Sequence, residues 1–400
     1  MFFLIELHSC RIHNFKSLDN FILDFSKFTC LIGLNSSGKS TILQAIDFLS
    51  QQMKGDIIGW LKDRNWEAKE LKCKFLNRQS ITISIGFLYR EKFYAWAFVF
   101  NPSLKKSTTE QIIYCPDAKS IDECETIFEV KNSKYMIIKD LGNPKENKLQ
   151  GDIIQEYEGS FLSSLKPEFL PEPIREFKSY IQNIYSLDLL SPQELRKRSR
   201  VGDTLGLSGA NLSAFLNSFT KEQKEEMLVQ LKKAYPNLEA FNIRKSKGGW
   251  ARLELIEQFG DKKLTNEAKY LNDGVLRLIA ILAQLQSQKS FLLFDEIENG
   301  INSELVEYLM DILVDCKHQV MITTHSPMIL NYIDDDIAKK SVQYIYKTKE
   351  GLTQSIPFFD IPSMAEKLEM MGAGSAYVDT NLEDLIEEIE EVKKSKKEAE

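Results

Sequence analysis

Four hundred residues leave room for two or three domains and a sizeable core, and 43% apolar with 27% charged residues is the balance of a water-soluble globular chain. A net charge of −7 speaks against bulk attraction to nucleic acid, and no run approaches about eighteen uncharged apolar residues, so no membrane span is expected. The six cysteines form no Cys-x-x-Cys pair, which points away from zinc ribbons or a disulfide framework and toward reduced thiols in the cytoplasm.

Met1–Leu7 is apolar but carries Glu6 and lacks a basic leader, so it reads as the approach to a first strand and not as a signal peptide. Phe28-Thr29-Cys30-Leu31-Ile32 has the continuous apolar character of a buried strand, and Thr41–Leu49 has one apolar helical face. Between them, Gly33-Leu34-Asn35-Ser36-Ser37-Gly38-Lys39-Ser40 matches the phosphate-binding P-loop at every defined position. A strand-to-helix turn of this kind gathers backbone N–H groups around a phosphate, and the helix N-terminus adds partial positive charge. The expected cradle comprises Gly33, Asn35, Ser36, Ser37, Gly38, Lys39, Ser40 and Thr41. Lys39 would reach the β- and γ-phosphates of ATP, and Ser40 would hold Mg²⁺.

Farther along, Ile81–Phe87 alternates strictly and is expected to pair with Phe93–Phe100 across Arg90-Glu91-Lys92. Pro167, Pro171 and Pro173 mark a boundary before helical segments. Arg196-Lys197-Arg198-Ser199-Arg200 concentrates four cations in five residues, with Arg244, Lys245 and Lys247 in the same region. Such a run is either a solvated face, a contact to acidic tails, or a non-specific duplex-DNA surface through Arg196, Lys197, Arg198 and Arg200. Sustained heptads are missing, so long coiled-coil arms are not expected.

Asn272 or Asp273 can cap the helical run beginning near Leu278, and the bare N–H groups there, with Gly274, make a second anion site. Ser290–Phe294 is an apolar strand ending in Asp295 and Glu296, the form of a Walker B motif. Asp295 would complete the Mg²⁺ shell, and Glu296 would orient or deprotonate water. Gln319–Thr324 is another apolar strand, ending at His325. His325 is either a γ-phosphate or water contact at the carboxyl end of a sheet, or a surface histidine before a Ser-Pro turn. In the tail, Thr380–Glu383 reads as a capping box. Leu382, Leu385, Ile386, Ile389 and Val392 then form a helical stripe with acids opposite and lysines following. That stripe either packs on the head or docks a partner.

In this order the motifs resemble an ABC-type ATPase head of the RecF/SMC-like and overcoming-lysogenization-defect (OLD) branch. Arg11–Ser17 is similar to that branch's opening strand, and Asp295–Ile301 is similar to its D-loop region. The resemblance implies an α/β P-loop head with a mixed, largely helical insert and a C-terminal helix. The head would occupy 1–110 and 265–360, an insert or lid 111–264, and an interaction helix 361–400. It further implies a composite site in which Asn272, Asp273 and Gly274 of one copy meet ATP on the P-loop of another, so a homodimer or larger homo-oligomer is expected. Lys16 falls where the branch has a basic residue near the nucleotide. The Q-loop glutamine stays open between Gln79 and Gln193. The chain also resembles stand-alone ATPase subunits of bacterial anti-phage systems of the Septu and PARIS types, which control a separate effector such as a nuclease. Asp334-Asp335-Asp336 lacks the surroundings of a nuclease centre, so no nuclease activity is expected in this chain alone. The alternative is a RecF-like DNA-binding ATPase of repair.

Overall fold

The run Phe28–Ile32 is buried at every position, which calls for a sheet covered on both faces. The computed structural model describes residues 4–116, 124–140, 147–200, 202–206 and 208–399, without the side chains of 382, 383 and 393–399. The first three residues of the N-terminal apolar segment, residue 382 of the tail stripe and the lysines after it therefore lie outside the described residues or side chains.

In chain order the strands are β1 (Ile5–His13), β2 (Phe21–Asp24), β3 (Phe28–Ile32), β4 (Ile81–Tyr89), β5 (Lys92–Asn101), β6 (Lys106–Cys115), β7 (Glu125–Lys131), β8 (Lys134–Ile138) and β9 (Lys148–Asp152). They continue as β10 (Ile184–Ser186), β11 (Leu238–Lys245), β12 (Ala251–Phe259), β13 (Lys262–Glu267), β14 (Phe291–Phe294), β15 (Gln319–Thr323), β16 (Val342–Lys347) and β17 (Thr353–Pro357). The central sheet runs β10-β14-β15-β3-β16-β17, parallel except for the last pair. An antiparallel sheet runs β2-β1-β4-β5-β6-β7-β8-β9, and β11-β12-β13 form a third.

Because side chains alternate across a strand, the central sheet feeds two cores. Leu31, Leu293, Met321 and Ile345 join the core made with the helix Lys39–Lys54 and the antiparallel sheet. Cys30, Ile32, Leu292, Phe294, Val320, Ile322 and Tyr344 face the other way, onto the helix Asp273–Leu285. Phe48 meets Phe100 edge-on at 5.0 Å, and this contact fastens the first helix to the antiparallel sheet.

The expected hairpin is present, with Ile81 opposite Phe100 and a two-residue turn in which Arg90 and Glu91 take φ of 48° and 65°. The boundary placed after residue 110 falls inside β6. The region 111–264 is helical over much of 161–234, stranded at both ends, and supplies β10 to the central sheet. The cysteine expectation also needs correction, since Cys115 and Cys124 form a disulfide at the mouth of the β6–β7 connection. Close pairing across a connection leaves no Cys-x-x-Cys signature. In the tail, Leu385 and Ile389 are buried in the head's own core, so the stripe is used internally and is not left free for a partner. Its helix spans Leu382–Ala399; just before it Asn381 donates to Asp384, while the Thr380 hydroxyl donates back to the Ala376 carbonyl. Asp334 caps the helix Asp335–Ser341, which gives that acidic triplet a structural use. Among the described residues no helix is long and apolar enough to cross a membrane.

Candidate active site

The parallel strands β3, β14 and β15 end side by side, and each carries a sequence motif at its carboxyl end. This is the edge where open α/β sheets gather ligands. After β3 the chain turns through the P-loop, whose Leu34, Asn35 and Ser36 are exposed while Gly33, Ser37 and Lys39 are buried. Gly38 has φ of 112°, and a Cβ there would lie 2.2 Å from the Thr353 hydroxyl, so only glycine fits. Thr353 fills that space, donates 2.8 Å to the Ser37 carbonyl, and bonds Ser17 through both hydroxyl and backbone.

Lys39 Nζ curls over the loop, donating to the carbonyls of Gly33 (2.8 Å) and Leu34 (3.1 Å) and approaching His325 Nδ1 at 3.3 Å. Burial lowers its pKa, and Asp295, Glu296 and Glu298 work against that shift. Since lysine only donates, His325 Nδ1 accepts, and its Nε2–H then donates to Glu296 Oε1 at 3.1 Å. Asn299 holds the other Glu296 oxygen. Glu296 itself sits at φ 47°, a conformation that non-glycine residues keep only when neighbours enforce it. The enforcing contacts are visible. Glu296 N donates to Thr323 Oγ1 at 2.8 Å, and Arg277 Nη2 donates to the carbonyls of Asp295 and Glu296, both at 2.8 Å.

Asp295 accepts from Thr323 Oγ1 at 2.5 Å. Its burial raises the carboxyl pKa, while hydrogen bonds from Thr323 and Ser40 pull it back. Hydroxyl and carboxylate oxygens are the donors a hard cation prefers, and Ser40 and Asp295 already meet here, so the pair fits Mg²⁺. The buried Ser37 hydroxyl has no protein partner, which suits an anion in the cradle. Glu298 accepts from Thr324 Oγ1 and from the backbone N–H groups of His325 and Ser326, fixing the turn that presents the histidine.

Lys16 stands beside this cradle. Its Nζ donates to Gln44 at 2.8 Å and lies 3.3 Å above the Trp66 ring. Burial, aided by nearby Arg64, lowers its pKa to about 8. Lys16, Trp66 and Thr41 line one cavity of about 410 Å³ next to the start of the first helix. Behind it, Arg64 is clamped by Asp47 and Asp188, both at 2.8 Å, tying the P-loop helix to the end of β10.

Asn272, Asp273 and Gly274 share no hydrogen bond with the P-loop. Asn272 Oδ1 accepts from Val275 N at 2.9 Å and so caps the helix Asp273–Leu285. A Cβ on Gly274 would sit 2.2 Å from the Gly300 carbonyl, so the helix start is pressed against the D-loop region. Asp273 pairs with Arg196 at 2.5 Å. Of the two glutamines considered for a Q-loop, Gln79 accepts from Lys72 and Gln193 is exposed; neither touches the P-loop or the Walker B acids.

The basic run is largely spoken for. Arg196 pairs with Asp273, Lys197 with Glu194, and Arg198 with Glu267, while Arg200 donates to the Gly248 carbonyl and lies 5.8 Å from the Trp250 ring. Thr323, Thr353, Arg277, Glu298 and Asn299 are the residues that sequence reasoning did not single out for the site. Glu298 and Asn299 were visible only as part of the D-loop likeness, and Thr353 gave no local signal.

Residues 28–331 match the family model described as "AAA domain, putative AbiEii toxin, Type IV TA system". The chain belongs to this family. It is a P-loop ATPase domain by that match, a class that uses nucleotide together with Mg²⁺. Among solved structures, the AAA-family chain is similar to an Smc head bound to the C-winged helix domain of ScpA. That match has 14% identity and a TM-score of 0.54, and covers 88% of this chain and 96% of the other. It is also similar to an Smc head domain with an extended coiled coil, bound to the C-terminal domain of ScpA and derived from Pyrococcus furiosus. There the identity is 13% and the TM-score 0.53, with 91% and 100% covered. Identities this low carry the fold alone. No curated protein matches the chain.

Proposed function

We propose that the chain is an ATP-hydrolysing regulatory subunit that closes into a homodimer around two composite ATP sites and controls a separate effector. The observation that carries this reading is the relay Lys39–His325–Glu296 at one sheet edge, with the Asn272–Gly274 helix start sharing no hydrogen bond with it. In this reading the P-loop from Gly33 to Thr41 holds the phosphates, aided by Lys16. Ser40 and Asp295 hold Mg²⁺, which neutralises phosphate charge when bound. Glu296 orients the attacking water, with His325 fixing its carboxylate. Asn272, Asp273 and Gly274 supply the second half of the site to another copy. Closure is driven by the higher affinity of ATP for the closed pair.

The setting we favour is bacterial anti-phage defence, with a nuclease as the effector, by likeness to Septu- and PARIS-type subunits. Binding of duplex DNA is the less supported reading, because the cations of the run 196–200 already have internal partners. The test is the solution mass of Glu296→Gln with and without ATP. An ATP-dependent doubling is expected, Lys39→Ala being the blank. A mass indifferent to ATP would sink the dimer reading.

A further inference from the structure

The helix beginning at Asp273 presents an acid where the reading above requires a phosphate to arrive. Asp273 occupies the first turn, and its side chain is 54% exposed. A carboxylate there satisfies the helix N-terminus itself and opposes any incoming anion. Arg196 answers that conflict. Its Nη2 donates to Asp273 Oδ1 at 2.5 Å and to the Leu271 carbonyl at 2.8 Å, and Nη1 donates to the Pro192 carbonyl at 3.1 Å.

Those contacts anchor the guanidinium at the mouth of the helix start while using only part of its donor fork. The side chain is 26% exposed, so it is held by its neighbours yet still reaches solvent. Asn272, the helix cap, is committed to Val275 N through its oxygen and has its amide N–H groups to offer. Arg196 therefore brings to this place the positive charge that Asn272 and Gly274 lack. Arginine suits the task because its planar fork meets phosphate oxygens in pairs.

We propose that Arg196 acts in trans, contacting the γ-phosphate of ATP held by the P-loop of a second copy, with Asp273 as its resting counter-ion. The inference rests on the composite-site reading and deepens it. It gives the acid at position 273 a use: Asp273 keeps the arginine placed and its charge masked until a phosphate competes for it. The remaining cations of the run then serve to hold the segment, through Glu194, Glu267 and Gly248.

The experiment measures the ATP concentration that half-dimerises the full chain in a Glu296→Gln background, by mass photometry, with Arg196→Ala, Asp273→Asn and the double variant compared. Arg196→Ala should raise that concentration about ten-fold or more, the cost of losing one charge-assisted phosphate contact and unmasking an acid. Asp273→Asn removes the acid that opposes the phosphate and frees the arginine, so dimerisation should need less ATP than in the parent. The double variant should fall between Arg196→Ala and the parent, since the unmasked acid is gone but the contact is not restored. If Asp273→Asn weakens dimerisation as much as Arg196→Ala, the pair is a structural clasp and the proposal is overturned. No recovery in the double variant overturns it as well. If the Glu296→Gln parent never dimerises with ATP, the composite reading itself has failed, an outcome readily told apart from the others.

Discussion

At the level of single residues, the site is a chain of donors and acceptors in which each member settles the state of the next. Lys39 can only donate, so His325 must accept at Nδ1 and donate at Nε2, and Glu296 then receives a proton donor on one oxygen and Asn299 on the other. Glu296→Gln should lower ATP turnover by about 10²–10⁴-fold while ATP binding persists, as expected when an acid–base group is lost from a formed site. Phosphate release together with equilibrium binding of a fluorescent ATP analogue would check both parts. Lys16 gives a pH signature. Its folded pKa of about 8 lies below the ordinary 10.5, so between those values the folded chain holds fewer protons than the unfolded one. Fold stability therefore gains as the pH rises through that window. ATP affinity should move the other way, falling as the pH passes about 8 and the cation is lost, and Lys16→Met should abolish that step in a binding titration. An identical pH profile in Lys16→Met would remove Lys16 from the site.

The level of whole elements shows where sequence reading succeeds. The strand and helix on either side of the P-loop, the apolar strand before Asp295, the β4–β5 hairpin and a cap at Asn272 or Asp273 were all legible, because each is specified by neighbours a few residues apart. The partners of those motifs were not. Thr323 reaches Asp295 across 28 positions, and Arg64, which also bonds Asp47, reaches Asp188 across 124. No periodicity encodes such pairings. The partners of the basic run were hidden for the same reason, since Asp273 and Glu267 belong to distant elements. Two stability predictions follow from the packing. Arg64→Ala would leave two buried carboxylates unpaired and should cost about 3–5 kcal/mol. Ile389→Ala, at a fully buried position of the C-terminal helix, should cost about 2–5 kcal/mol. Urea denaturation of each variant would measure both. A loss under about 1 kcal/mol for Ile389→Ala would mean that the helix is a loosely attached appendage.

For the molecule as a whole, the central sheet assembles strands from opposite ends of the chain, and the phosphate cradle inherits that plan. β3 is flanked by β15 and β16, and the P-loop is braced by Thr353, 316 residues beyond the Ser37 carbonyl it binds. The consequence concerns synthesis. On the ribosome the P-loop emerges well before the strands that flank its strand β3 and the hydroxyl that braces it, which lie at residues 319–353. On the proposed function, a nascent chain should not capture ATP until nearly all of the head exists. A chain stopped before β15 should carry the full P-loop sequence and still fail to retain ATP in a filter-binding assay. Retention by that fragment would show that the turn and its helix suffice by themselves.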